Sequence, residues 1–206
     1  MGTTMRHKKS EDNHVRRKSR GFSLLEVMIA MVVLTVGLLA VIASFSVAIA
    51  ATESAQEDLI ARHKALDAME SIYTARNSQQ IPFASIANQA SGGIFKGGPQ
   101  PLLCAGPDGL VGTGDDVACT TVAGAVCPNG GVECMVLPGP DGILGNADDQ
   151  IMSLSNFNRT ITISQVLQPN GQVNPNLMAI TIAVIYTKAG WPARTYTADG
   201  LISSFH

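Results

Sequence analysis

The chain has 206 residues, 46% of them hydrophobic and 15% charged, with a formal net charge of −2. That length suits one globular domain plus an anchor and excludes two full domains. Residues 1–21 carry seven basic side chains against two acidic ones, and the remainder seven against fourteen, so a basic head precedes an acidic body. A nucleic-acid-binding arm does not fit, because the basic segment runs straight into an apolar stretch that fixes it at a membrane face.

In chain order, residues 1–20 are polar, lack apolar periodicity and read as disordered. Residues 27–51 contain no charged side chain. As a helix they would span about 38 Å, more than the ~30 Å hydrocarbon core of a bilayer. No proline follows until Pro82, which predicts one continuous helix from about Ser23 to about Arg76. In its second half Ala55, Leu59, Leu66, Met69 and Tyr73 recur at helical steps, with Glu53, Glu57, Asp58, Lys64, Asp67 and Glu70 on the other faces. That pattern predicts an amphipathic helix whose apolar stripe needs a partner.

Residues 77–156 are rich in Gly, Pro, Asn and Asp and read as long loops. Four cysteines fall here, Cys104, Cys119, Cys127 and Cys134. A clustered even number in an exported segment predicts two disulfides. Zinc ligation fits poorly, since the short paired spacings are missing and no histidine lies nearby. Four cysteines allow three pairings; the sequential one, Cys104–Cys119 with Cys127–Cys134, closes the shortest loops and costs the least entropy. Strand signals follow. Residues 159–167 alternate, 177–187 form a β-branched run, Ala189-Gly190 reads as a turn, and 194–198 pair back. Asp199-Gly200 reads as a second turn before 201–205. The predicted fold class is α+β: a long N-terminal helix, transmembrane and then amphipathic, packed on a C-terminal antiparallel sheet, with long disulfide-tied loops. The predicted segments are 1–21 (a removable leader), 22–51, 52–76, 77–156 and 157–206.

The most informative string is Arg20-Gly21-Phe22-Ser23-Leu24-Leu25-Glu26-Val27-Met28. An ordinary secretory signal has its small residue after the apolar core; here Gly21 stands before it, and a carboxylate, Glu26, lies inside it. A carboxylate buried in an apolar setting costs several kcal/mol unless it is paired or protonated. A cut after Gly21 creates an ammonium at Phe22, and Glu26 of one subunit can meet the Phe22 ammonium of its neighbour.

This segment resembles the cleavage and methylation signature of type IV prepilins and pseudopilins. The resemblance implies a prepilin peptidase that cuts after Gly21 on the cytoplasmic face and methylates the Phe22 amine. It also implies that Glu26 serves assembly with other pilin or pseudopilin subunits. The run Met28-Ile29-Ala30-Met31-Val32-Val33-Leu34-Thr35-Val36-Gly37-Leu38-Leu39-Ala40 is similar to the minor-pilin family called type IV pilus modification protein V. Major pilins usually carry a kinking proline near the position of Ala43; its absence favours a minor subunit. The implied placement is the inner membrane with a periplasmic domain, and a periplasmic or extracellular filament after assembly.

Two segments match at an offset of 33 residues: Gly106-Pro107-Asp108-Gly109-Leu110-Val111-Gly112-Thr113-Gly114-Asp115-Asp116 and Gly139-Pro140-Asp141-Gly142-Ile143-Leu144-Gly145-Asn146-Ala147-Asp148-Asp149. Calcium takes six to eight oxygens, and each segment offers three carboxylates, Asp108, Asp115 and Asp116, then Asp141, Asp148 and Asp149. The pattern is not an EF-hand, but it resembles the calcium loop of the major pseudopilins of type II secretion. The alternative is a pair of surface turns, since Pro-Asp-Gly is a good turn tripeptide by itself.

His7, His14, His63 and His206 are scattered and make no metal set; His63 lies on the polar side of the helix. Asn158-Arg159-Thr160 matches a glycosylation sequon, a tripeptide common by chance. Trp191-Pro192 reads as a packing residue in a turn. No nucleophile–base pair, phosphate loop or dinucleotide fingerprint supports an enzyme. The sequence reading is therefore a structural minor pilin or pseudopilin of a type IV pilus or type II secretion filament, with an adhesin displayed at a pilus tip as the alternative.

Overall fold

The computed structural model describes residues 21–188 and 191–205. The predicted leader up to residue 20, the Ala189-Gly190 turn, His7, His14 and His206 lie outside the described residues. The chain divides into two compact units, Met1–Ala50 and Ala51–His206. Helix α1, Leu24–Asn77, contributes to both.

The described part of the first unit is the start of α1. Ser23 caps it: its carbonyl accepts the Glu26 and Val27 amides at 3.0 and 3.2 Å, and its hydroxyl accepts the Leu25 amide at 3.2 Å. Every side chain from Phe22 to Ile49 is exposed, including the whole apolar run. The hydroxyls of Thr35, Ser44 and Ser46 donate to carbonyls one turn back, at 2.7, 2.9 and 3.1 Å, so they need no outside acceptor. α1 is long and apolar enough to cross a membrane.

The second unit packs the rest of α1 on an antiparallel sheet. The sheet order is β1-β6-β7-β8, from β1 (Gln100–Pro101), β6 (Phe157–Leu167), β7 (Val173–Tyr186) and β8 (Arg194–Ser203). Period-2 alternation turns Phe157, Ile161, Ile180, Ile182, Val184, Tyr186, Ala198 and Ile202 inward. The Phe157 and Tyr186 rings stack at 5.3 Å.

The helix meets this sheet with Ile60, Ala61, Ala65, Ala68, Met69, Ile72 and Ala75. The stripe expected from sequence is thus corrected: Met69 is buried, but Leu59 is 65% and Leu66 45% exposed, and Ala55 is exposed. Four of the seven docking residues are alanines, with Ile60, Met69 and Ile72 among them. Gly200 leaves room for the helix side chains above it. A Cβ there would sit 2.5 Å from the Tyr73 hydroxyl and 3.1 Å from the Met69 sulfur. The expected turn at Asp199-Gly200 is therefore absent: β8 runs through both, pairing Asp199 with Thr181 and Gly200 with Ile180. A glycine that reads as a turn signal is a strand residue kept small by the helix above it.

Residues 77–156 hold more order than loops. β2 (Cys119–Val122) pairs with β3 (Ala125–Gly131), and β4 (Cys134–Leu137) with β5 (Gln150–Ser153). The disulfides are Cys104–Cys119 and Cys127–Cys134. They form a second small cluster in which Cys119, Cys127 and Cys134 are buried.

Candidate functional site: the N-terminal junction and the acidic repeats

Gly21 and Phe22 lie in the non-helical entry to α1, and Phe22 is 81% exposed. Nothing lies within 4 Å of a Cβ built on Gly21, and its φ is not in the left-handed region. The fold itself makes no demand for glycine there. Glu26 occupies the third helical position after the Ser23 cap, where a carboxylate complements the helix dipole. It is exposed on a helix whose other neighbouring side chains are apolar.

The two acidic repeats fold alike. Leu110 N donates to Asp108 Oδ1 at 2.8 Å and Ile143 N to Asp141 Oδ1 at 2.9 Å. Gly112 N donates to Asp116 Oδ2 at 2.8 Å and Gly145 N to Asp149 Oδ2 at 2.6 Å. The leading glycines also correspond: a Cβ on Gly106 would meet the Asp115 carbonyl oxygen at 2.2 Å, and one on Gly139 would meet Asp148 Oδ2 at 2.2 Å. The repetition in sequence is a repetition of backbone geometry.

Their surroundings differ. The first loop is docked in the core through Leu110, 1% exposed, and Thr113, also 1%. Thr113 fills its carboxylates: the hydroxyl donates to Asp115 Oδ1 at 2.6 Å, and the amide to Asp116 Oδ1 at 3.2 Å. The hydroxyl bond is the main reason that the Asp115 carboxyl is held below its ordinary value. In the second loop Asn146 replaces Thr113 and donates instead to Asp141 Oδ2 at 2.6 Å. Asp149 Oδ1 is left buried with no hydrogen-bond partner. Ile143 and Leu144 are 63% and 60% exposed, so this loop stands out from the core. It borders a groove of about 400 Å³ with Val122, Met135, Val136 and the Lys64–Glu133 ion pair. Among the described residues, no three His, Cys, Asp or Glu side chains come together closely enough to hold a metal ion.

Sequence reasoning passed over one buried charge. Arg159 is 4% exposed on the inward face of β6. Burial lowers its pKa, and the charges of Glu133, Asp116 and Asp67 oppose that shift only in part. Its signal in the sequence is position: it falls on the apolar beat Phe157, Arg159, Ile161. His63 pairs with Asp67 at 3.0 Å and is exposed, in keeping with its polar face. Trp191 is 50% exposed rather than packed.

Comparison with protein families bears on the first of these sites. Residues 16–42 carry the prokaryotic N-terminal methylation motif. No curated protein and no solved structure matches the chain. The methylation motif spans the Gly21–Phe22 junction and Glu26 and reaches into the exposed apolar run. It supports a type IV pilin-like protein that prepilin peptidase processes and that assembles with other pilins. The motif together with an apolar N-terminal helix fits a membrane-anchored, structural protein.

Proposed function

We propose that the chain is a minor pilin or pseudopilin, a structural subunit of a type IV pilus or type II secretion filament. The observation that carries this is the placement of Glu26. It is an exposed carboxylate in the first turn of an exposed apolar helix, five residues after a glycine that the fold does not require. Burying that helix among others leaves the carboxylate uncompensated unless a cation meets it, and the Phe22 amine freed by cutting after Gly21 supplies one. The unbroken course of α1 past Ala43 supports a minor subunit. Glu26→Ala should leave cutting and membrane insertion intact and abolish incorporation, read as the amount of this chain in sheared filaments. Undiminished incorporation overturns the reading.

Calcium belongs to the same proposal, at the second acidic loop. The buried, unpartnered Asp149 Oδ1 supports it there. Asp141, Asp148 and Asp149 are not gathered around one point in this structure; to hold the ion the loop would have to bring them together, and the ion would then neutralise their mutual repulsion. Asp108, Asp115 and Asp116 fit it less well, because the loop's own amides and Thr113 already occupy carboxylate oxygens of all three.

A further inference from the structure

Helix α1 enters the second unit at Ala51, but its buried apolar side chains begin only at Ile60. No side chain of residues 51–59 is buried. What this stretch turns toward the sheet is charge. Lys188, just beyond the end of β7, donates to Glu53 Oε2 at 2.5 Å. Asp58 accepts from the Tyr186 hydroxyl through Oδ1, and from Arg194 Nη1 through Oδ2 at 3.1 Å. Ser54 and Glu57 line a narrow crevice whose other wall includes Trp191 and Pro192. From Ile60 onward the same helix gains apolar burial, and its ion pair there, Lys64–Glu133, is far less exposed than the two pairs of residues 51–59.

These two kinds of attachment respond to different conditions. The Glu53 and Asp58 side chains are 56% and 54% exposed, and Lys188 and Arg194 are 23% and 45% exposed. Ion pairs this open contribute at most about 1 kcal/mol each and are screened by salt. Apolar burial is not weakened in that way. We propose that residues 51–59 form an electrostatic strap, clipped to the ends of β7 and β8 by Glu53 and Asp58, that salt releases while the helix from Ile60 to Asn77 stays docked. The inference is independent of what the filament is and of whether calcium binds.

The chain carries its own reporter, since Trp191 is the sole tryptophan and lies beside the strap. The test uses the full chain in nonionic detergent micelles, at about 0.01 M and about 1 M potassium chloride, where the Debye length falls from about 30 to about 3 Å. Amide hydrogen exchange and Trp191 emission are followed, and Glu53→Gln/Asp58→Asn is compared at low salt. Loss of the two clips should speed exchange in 51–59 by about 5- to 30-fold. It should also shift Trp191 emission to the red and leave residues 60–77 unchanged. Salt alone should reproduce this in the unsubstituted chain, which keeps the test valid if the double variant fails to fold. Exchange in 51–59 that ignores salt overturns the proposal. So does acceleration that spreads equally through 60–77.

Discussion

At the residue scale, Thr113 illustrates how one side chain separates two copies of a repeat. Its hydroxyl and amide satisfy Asp115 and Asp116, and its own burial locks the first loop to the core. The Asp115 carboxyl, held low mainly by that hydroxyl, stabilises the fold at pH values above its unfolded-state pKa. That contribution disappears as pH falls through the lowered folded value. Thr113→Val should raise the Asp115 pKa toward the ordinary carboxylate range, seen as a rightward shift in its carboxyl NMR titration. The acid side of the stability profile should move to higher pH with it. An unmoved Asp115 titration would show that the hydroxyl is not what holds it. Arg159 is a buried cation on the inward face of β6, and the negative charges of Glu133, Asp116 and Asp67 favour its charged form against the cost of burial.

At the element scale, the helix–sheet contact depends on smallness. Gly200→Ala would place a methyl 2.5 Å from the Tyr73 hydroxyl, which bonds the Leu201 carbonyl at 2.9 Å. It should cost about 1–3 kcal/mol in denaturant unfolding, as overpacking does. Tyr73→Phe in the same chain should recover part of that loss, because the clashing atom is gone. Additive costs in the two variants would contradict the contact. The acidic loops make a second element-scale prediction. Calcium should raise the melting temperature of the full chain, and Asp149→Ala should remove most of the rise, while Asp116→Ala should destabilise the chain with or without calcium. At a hundredfold excess over Kd the stabilisation should be about 2.7 kcal/mol. Equal loss of the calcium response in both variants would mean that the two loops bind alike.

These elements also show where sequence alone was sufficient. The long helix, the alternating strand β6 and the acidic repeat were all legible, because each is a periodicity or an identity. The docking stripe was not. Leu59 and Leu66 carry the larger hydrophobic signal, yet Ala61, Ala65, Ala68 and Ile72 are the helix residues with no exposure, and three alanines add little to an apolar pattern. Asp199-Gly200 failed for a related reason. A glycine permits a turn, but it also permits contact, and only the neighbour Tyr73 distinguishes the two. The acidic loops differ at four of their eleven positions, and no local pattern singles out Thr113 against Asn146 among them.

At the scale of the whole molecule, two units with different requirements share one helix. The unit Met1–Ala50 presents an apolar surface on all sides of its helix, which calls for lipid or other helices around it. The unit Ala51–His206 closes its own core between helix and sheet and adds two disulfides. A subunit that is held in a membrane and then transferred into a filament needs this division, and the Gly21–Phe22 junction is where the transfer would begin. The direct test is the mass of the N-terminal peptide of the exported protein. The account predicts a chain that begins at N-methylated Phe22, with residues 1–21 removed. An exported protein that retains residues 1–21, or that is cut elsewhere, would contradict it.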